Sequence, residues 1–340
     1  MSNILFQNAL QRKVQKTPPI WFMRQAGRYH KHYQNLRKDH SFDDLCKKPE
    51  LAAQVALGPV EDFDFDVAIL FSDILYPLQA LGMGLEYTDH GPRLGFSLTP
   101  DNIQNLKRGE DVVSFMSFQK EALQQTRAVL PKDKSLIGFI GGPWTLFVYA
   151  VEGSHTGSLT QSKKLLSFFP EFLKKMLPLL KENIRLQLAG GAEVVMIFDT
   201  AAGELSPLDF QKWIQPVLKE LNALAPGKIG YYSKSTQATY FNQEFLSLPW
   251  AGMGFDHRWN LTECFGLAKH GFVQGNFDQS LLFLEKPQFQ EELGIYLENM
   301  KSLSVDERAG WVSGLGHGVL PKTPEDNVRL FVETVRKVFA

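Results

Sequence analysis

The chain is poor in cysteine, with only Cys46 and Cys264 among 340 residues. Two thiols are too few for a disulfide framework or a four-thiolate metal site, so nothing demands an oxidising compartment and a reducing cytoplasm is expected. Excess charge of one sign is also missing: 36 Lys and Arg against 37 Asp and Glu leave a formal charge of -1. That balance excludes the protein-wide basic field that gathers nucleic acid. No run approaches the roughly 18 uninterrupted apolar residues of a spanning helix, and MSNILFQNALQRK lacks the basic-then-apolar layout of a secretory signal. Neither membrane insertion nor export is expected. There is no G-x-S-x-G elbow, no H-E-x-x-H and no G-x-G-x-x-G after the first strand-like run, which argues against a serine hydrolase, a zinc protease and a dinucleotide site.

What is present is an ordinary core-forming composition, 44% hydrophobic and 21% charged. With no linker, low-complexity tract or short repeat, one domain over residues 1–340 is the simplest division. Eight short apolar runs each precede a longer helical pattern: Ile20–Met23, Val67–Phe71, Leu136–Ile140, Val194–Phe198, Ile229–Tyr232, Gly252–Phe255, Phe272–Gly275 and Trp311–Leu315. Pro49-Glu50, Ser206-Pro207 and Thr323-Pro324 read as helix starts, and Gly190-Gly191 and Gly271 as helix ends. Continuously apolar strands alternating with helices predict an α/β fold, a somewhat distorted (β/α)8 TIM-type barrel, with an open doubly wound sheet as the alternative.

In such a barrel chemistry sits where strands end. Arg24 and Arg28 follow the first run, Ser72-Asp73 the second, Gly141-Gly142-Pro143 and then Tyr149 the third, and Asp199-Thr200 the fourth. The sixth to eighth are followed by Asp256-His257, Asn276 with Asp278, and His317; no residue is assigned after the fifth. Two guanidiniums beside Gly27 suit a polyanionic ligand, because each fork donates bidentately to a carboxylate. Asp73 lies in an apolar run where a carboxylate needs donors or a cation; it functions at the mouth or caps a short helix. Gly141-Gly142-Pro143 reads as a turn shaping the pocket floor, and Tyr149 as a hydroxyl donor or as packing. His317 stands between Gly316 and Gly318, which predicts an accessible imidazole. His30-x-His32 is read as a wet helix surface rather than a metal site, and Cys46 and Cys264 as structural.

Laid side by side, Met23-Arg24-Gln25-Ala26-Gly27-Arg28-Tyr29, Phe71-Ser72-Asp73-Ile74-Leu75, Gly138-Phe139 through Thr145-Leu146 with Tyr149 and Glu152-Gly153, Gln274-Gly275-Asn276 and Leu315-Gly316-His317-Gly318 make the chain resemble the uroporphyrinogen decarboxylase family over nearly its whole length. The resemblance implies a distorted (β/α)8 barrel, a homodimer, no metal and no organic cofactor. The implied activity is removal of the four acetate carboxyls of uroporphyrinogen III, giving coproporphyrinogen III, in haem biosynthesis. By motif position it implies that Arg24 and Arg28 hold carboxylates, that Asp73 accepts from pyrrole N–H groups, and that Gln25, Ala26, Gly27, Tyr149, Thr200 and His317 also contact substrate. Asp73, Arg24 and Arg28 are the implied catalytic set; the proton donor stays open among an arginine, His317 and a bound water.

The sequence departs from the common pattern after Tyr29, where His30-Lys31-His32 adds basic character, and across Glu152–Gly157. Two alternatives stand beside this reading. Zinc-dependent methyltransferases share the barrel but need thiolate ligands, which Cys46 and Cys264, neither in H-x-C, do not supply. A porphyrin carrier would keep the basic cleft without turnover, and the retained Asp73 speaks against it.

Overall fold

The computed structural model describes residues 2–88, 91–155 and 157–340, so Thr156 in the Glu152–Gly157 segment lies outside it. The strands are β1 Val67–Ile69, β2 Glu86–Thr88, β3 Gly91–Arg93, β4 Ser135–Gly141, β5 Val194–Asp199, β6 Ile229–Ser233, β7 Gly252–Gly254, β8 Phe272–Phe277 and β9 Trp311–Leu315. β2 and β3 form a small antiparallel pair. The other seven make one parallel sheet in the order β1-β4-β5-β6-β7-β8-β9.

Every residue of β4, β5, β6 and β9 is buried. Helices cover the outside and side chains fill the inside, so these strands carry no alternating polar face. The period-two alternation is still visible in what each side chain touches. Inside the curl, Phe139 packs on Phe198 at 5.4 Å and Phe198 on Tyr232 at 6.2 Å between ring centres. Tyr231, one residue away, faces the helix layer and meets Phe245 at 5.5 Å and Trp250 at 5.7 Å. The helix Phe169–Ala189 lies so close over β4 that a Cβ at Gly138 would stand 2.1 Å from Gln187 Oε1. Gln187 Nε2 donates to the Phe139 carbonyl at 2.8 Å, so a side chain at 138 would displace the Gln187 amide from this contact.

Seven of the expected runs form strands, but Ile20–Met23 does not. Only Ile20 pairs, through a parallel bridge to Ser313. Ser313 N donates to Pro19 O at 2.9 Å and Trp21 N to Ser313 O at 3.3 Å. On its other side Ile20 donates to Asp66 Oδ2 at 2.7 Å and accepts from Asp66 N at 3.0 Å. Ile20 therefore spans the seam between β9 and β1, with a carboxylate standing in for a missing ladder bond. The run is cut short on both sides: Pro18 and Pro19 have no N–H to donate, and Gln25 N bonds to Phe22 O at 3.1 Å as the chain turns.

Ser206 caps as expected, accepting from Asp209 N at 3.1 Å. Thr323 does not, because the helix Glu325–Val338 starts one residue later with Pro324 as N-cap and the Thr323 hydroxyl bonds back to Leu320 O. Nor does Gly271 close a helix: Leu261–Leu267 ends at Ala268, and Gly271, at φ 64°, sits where a Cβ would stand 2.0 Å from Ala251 O. No described helix is long and apolar enough to cross a membrane.

Candidate active site

Because the sheet is parallel, its C-terminal strand ends and the turn after Ile20 open on one face. The Arg24–Arg28 turn is tied down by Gln25, whose buried side chain donates to Val67 O at 2.9 Å and accepts from Phe22 N at 3.1 Å. That side chain is committed to the scaffold, so contact between Gln25 and a ligand would run through its backbone. Among the described residues the backbone N–H groups of Ala26, Gly27 and Arg28 have no acceptor. Together with two exposed guanidiniums they form a donor-rich edge suited to carboxylates. Arg24 adopts φ 60°, uncommon outside glycine, and its stem lies against Gly318, where a Cβ would stand 2.5 Å from Arg24 Cδ. The two arginines part company here: Arg24's charge acts on Asp73, Tyr149 and His317, whereas that of Arg28 acts on Tyr33 within the helix Lys31–Asp39.

Asp73 is half-buried beyond β1. One oxygen accepts from Leu75 N at 2.8 Å, a local turn leading into the helix Tyr76–Ala80, so part of the capping role is real. Burial pushes its carboxyl above the usual range, opposed by the Leu75 N–H, the Arg24 charge and neighbouring Tyr87. Tyr87, from β2, has a buried hydroxyl with no hydrogen bond of ordinary length.

Tyr149, on the helix Pro143–Glu152, places its hydroxyl 2.5 Å from His155 Nδ1. Burial and then Asp73 push the phenol up to about 12, against the opposing pull of Arg24. His155 is held below the ordinary imidazole range by burial, Lys234 and Arg24.

His317 is only 7% exposed, which corrects the expectation of an accessible ring. The flanking glycines serve close approach instead: Arg24 fills the space over Gly318, and a Cβ at Gly316 would stand 2.4 Å from His257 N. Tyr232 Oη lies 2.8 Å from the Gly316 carbonyl and 2.9 Å from His317 Nδ1. A carbonyl can only accept, so the phenol proton goes to Gly316 and the geometry assigns the imidazole hydrogen to Nδ1, leaving Nε2 with its lone pair. Burial, then Arg24 and Lys234, push His317 down to about 3. At neutral pH it is an uncharged acceptor, which removes it as a proton donor in this state.

The other strand-end polar groups divide between mouth and scaffold. Thr200 is half-buried with no side-chain hydrogen bond among the described residues. Asp199 faces away from the mouth, accepting from Thr145 Oγ1 at 2.6 Å, Thr145 N at 3.2 Å and Tyr231 at 3.4 Å. Desolvating a carboxylate costs several kcal/mol, more than two good donors at about 1.5–3 kcal/mol each fully offset. Its carboxyl is accordingly pushed up to about 6. Asp256 holds Ser235 N and Arg258, and Asn276 donates to Asp256 O and Trp259 O. Asp278 accepts from Ser280 N at 2.9 Å.

Of the basic segment after Tyr29, Lys31 is exposed but the two histidines are not a wet surface. His30 is 1% exposed and lies 2.6 Å from Asp62 Oδ2, while the His32 ring packs where a Gly58 Cβ would be, 2.4 Å away. Sequence reasoning missed His155, Tyr232, Tyr87 and Lys234. The first two had no signal beyond the chain's own alternation and loop.

A parallel barrel whose mouth gathers cations, free amides and hydroxyls around one half-buried acid defines a site for a polycarboxylate small molecule. A family model described as uroporphyrinogen decarboxylase (URO-D) matches residues 1–338, and the chain belongs to that family. Among curated relatives, the uroporphyrinogen decarboxylase of Synechococcus sp. (strain JA-2-3B'a(2-13)) is 35% identical over 340 residues, covering 96% of this chain and 94% of the relative. That of Myxococcus xanthus (strain DK1622) is 35% identical over 346 residues, covering 97% and 94%. In fold, the chain matches a methyltransferase from Methanosarcina mazei with TM-score 0.78 at 17% identity over the whole of both chains, a likeness that speaks to the barrel alone.

Proposed function

We propose that this chain is a uroporphyrinogen decarboxylase, removing four acetate carboxyls from uroporphyrinogen III to give coproporphyrinogen III and 4 CO2. The observation that carries the reading is Asp73, half-buried at a cationic mouth and opposed by Arg24. For simple capture of a polyanion a carboxylate there is a repulsive group; for a ring of pyrrole N–H donors that becomes cationic during reaction it is the group required.

The chemistry balances without a resident cofactor. A proton adds to a pyrrole α-carbon and makes an iminium-like cation. The acetate C–C bond breaks, CO2 leaves, and the bonding pair flows into the ring. A proton then reaches the exocyclic carbon to form the methyl group as the ring proton is returned, so each decarboxylation consumes one proton net. Asp73 would accept the N–H groups and stabilise the developing cation, Arg24 and Arg28 would hold carboxylates, and Tyr149 and Thr200 would offer hydroxyls. Gln25, Ala26 and Gly27 would contribute backbone amides. His317, neutral with Nε2 as acceptor, fits substrate contact rather than proton donation. That leaves an arginine or a bound water for the proton.

The residues do not fit the thiolate zinc site of the methyltransferase alternative. Burial pushes the Cys264 thiol up to about 12 and Cys46 well above its ordinary value, and Cys264 donates to Asn260 O. Among the described residues no group of three or more His, Cys, Asp or Glu is placed to hold a metal ion. The reading includes a homodimer, from the family, and a reducing cytoplasm, which two free buried thiols support.

The test is to give metal-free protein anaerobically generated uroporphyrinogen III and separate the oxidised products by carboxylate number. Seven-, six-, five- and four-carboxylate porphyrins appearing in turn support the proposal; unchanged substrate contradicts it.

A further inference from the structure

The strand end left without a functional residue is that of β6. Tyr232 points into the barrel, packing on Phe198 and bonding His317, while Tyr231 and Ser233 face the other way, Ser233 bonding Thr236. Period-two alternation puts Lys234, two residues past Tyr232, on the inward side one level nearer the mouth. The ladder pairs Phe198 with Tyr232 and ends at Asp199 with Ser233, so Thr200 and Lys234 are the first residues beyond the two adjacent strand ends. The backbone is clamped on both sides, with Gly203 N donating to Lys234 O at 3.1 Å and Ser235 N to Asp256 Oδ2 at 2.6 Å. Ser235 itself sits at φ 61°. A half-buried lysine so held ordinarily has a counter-ion, yet Lys234 has no ion pair or hydrogen bond from its side chain among the described residues.

Lys234 also stands among like charges, its field adding to that of Arg24 at His155 and His317. Convergence of unpaired cations costs free energy unless an anion arrives. In the ring of strands Ile20 occupies the seam between β9 and β1, and β6 is four places away on either side. Lys234 and the Arg24 turn thus leave from opposite points of the mouth.

We propose that Lys234 anchors a non-reacting carboxylate on the side of the substrate ring opposite Arg24. This rests on the polycarboxylate tetrapyrrole reading above. A ligand with acid groups around its whole rim requires cations on both sides of the mouth; Arg24 and Arg28 share one turn, and Lys234 supplies the other side.

The test compares wild-type protein, Lys234→Met, Lys234→Gln and Lys234→Arg in steady-state conversion of anaerobic uroporphyrinogen III, with melting curves confirming that each variant used is folded. An anchor for a group that does not react is lost from substrate and transition state alike, so Lys234→Met should raise KM about 10-fold or more, with kcat within about 3-fold. Lys234→Arg should restore most of KM. Lys234→Gln repeats the measurement should the apolar variant fold poorly. Wild-type KM in folded Lys234→Met or Lys234→Gln, or a fall in kcat at unchanged KM, would overturn the proposal. If wild-type protein makes no product, the decarboxylase reading fails, and equilibrium binding of uroporphyrinogen III decides on Lys234. Weaker binding by Lys234→Met than by wild type then sustains the anchor, and equal binding or none overturns it.

Discussion

The stem of Arg24 occupies the space that a side chain at Gly318 would need, with Cδ 2.5 Å, Cγ 2.8 Å and Nε 3.1 Å from the position of a Cβ there. The guanidinium that acts on Asp73, Tyr149 and His317 is thus aimed by a glycine on the opposite edge of the barrel seam. Gly318→Ala should move a flexible side chain at little cost in stability. Misplacing a positioning group by about 1 Å costs up to about 100-fold in rate, so kcat/KM should fall by about 10- to 100-fold while the melting temperature hardly changes. Unaltered kcat/KM would mean that Arg24's position does not matter.

His317 should carry no charge across the working range. Its folded pKa lies near 3, below the ordinary value of about 6.5, so it binds a proton less readily folded than unfolded. The sign follows: its neutral form contributes stability above about pH 6.5, lost as pH falls toward 3. The His317 ring resonance in an NMR titration should stay flat between about pH 8 and 5. A midpoint of 6 to 7 would reinstate it as a candidate acid.

Asp199 gives the opposite slope. Its folded pKa of about 6 exceeds the unfolded value of about 3.9, so the folded state keeps a proton that the unfolded state has released between those values. Stability from this group falls as pH rises from about 4 to about 6 and is level above. Asn at 199 can still accept from Thr145 without the buried charge. The difference in unfolding free energy between Asp199→Asn and wild type should therefore move toward the variant by roughly 3 kcal/mol between pH 4 and 7, read from urea melts.

What could be read from the sequence follows from physical locality. β4, β5 and β9 were legible because burial on both faces leaves continuous apolar runs. Ile20 was misread as the start of a strand because its pairing depends on the side chain of Asp66, 46 residues away. Arg24, Asp73 and Thr200 follow apolar runs closely enough that position flagged them, whereas Tyr149 lies further on, in the helix Pro143–Glu152, and only the motif resemblance set it apart from packing. Lys234 carries no motif in the sequence; the alternation of β6, whose register with β5 runs to Ser233, is what points the next residue inward. The His30 error has the same origin, since the carboxylate that pairs with it comes from the helix Pro49–Phe63. The expectation of an accessible His317 fails because glycine next to a histidine marks close packing as well as openness.

The Asp73 carboxylate serves chemistry rather than capture, and Asp73→Asn separates the two. An asparagine oxygen can still accept from Leu75 N, so the turn and the fold should persist. Binding and turnover of anaerobic uroporphyrinogen III are measured on the same folded variant. Binding should stay within about 10-fold of wild type while turnover falls below about one hundredth of it, the scale of losing a preorganised electrostatic partner. Turnover at the wild-type rate would mean that the Asp73 charge has no part in the reaction.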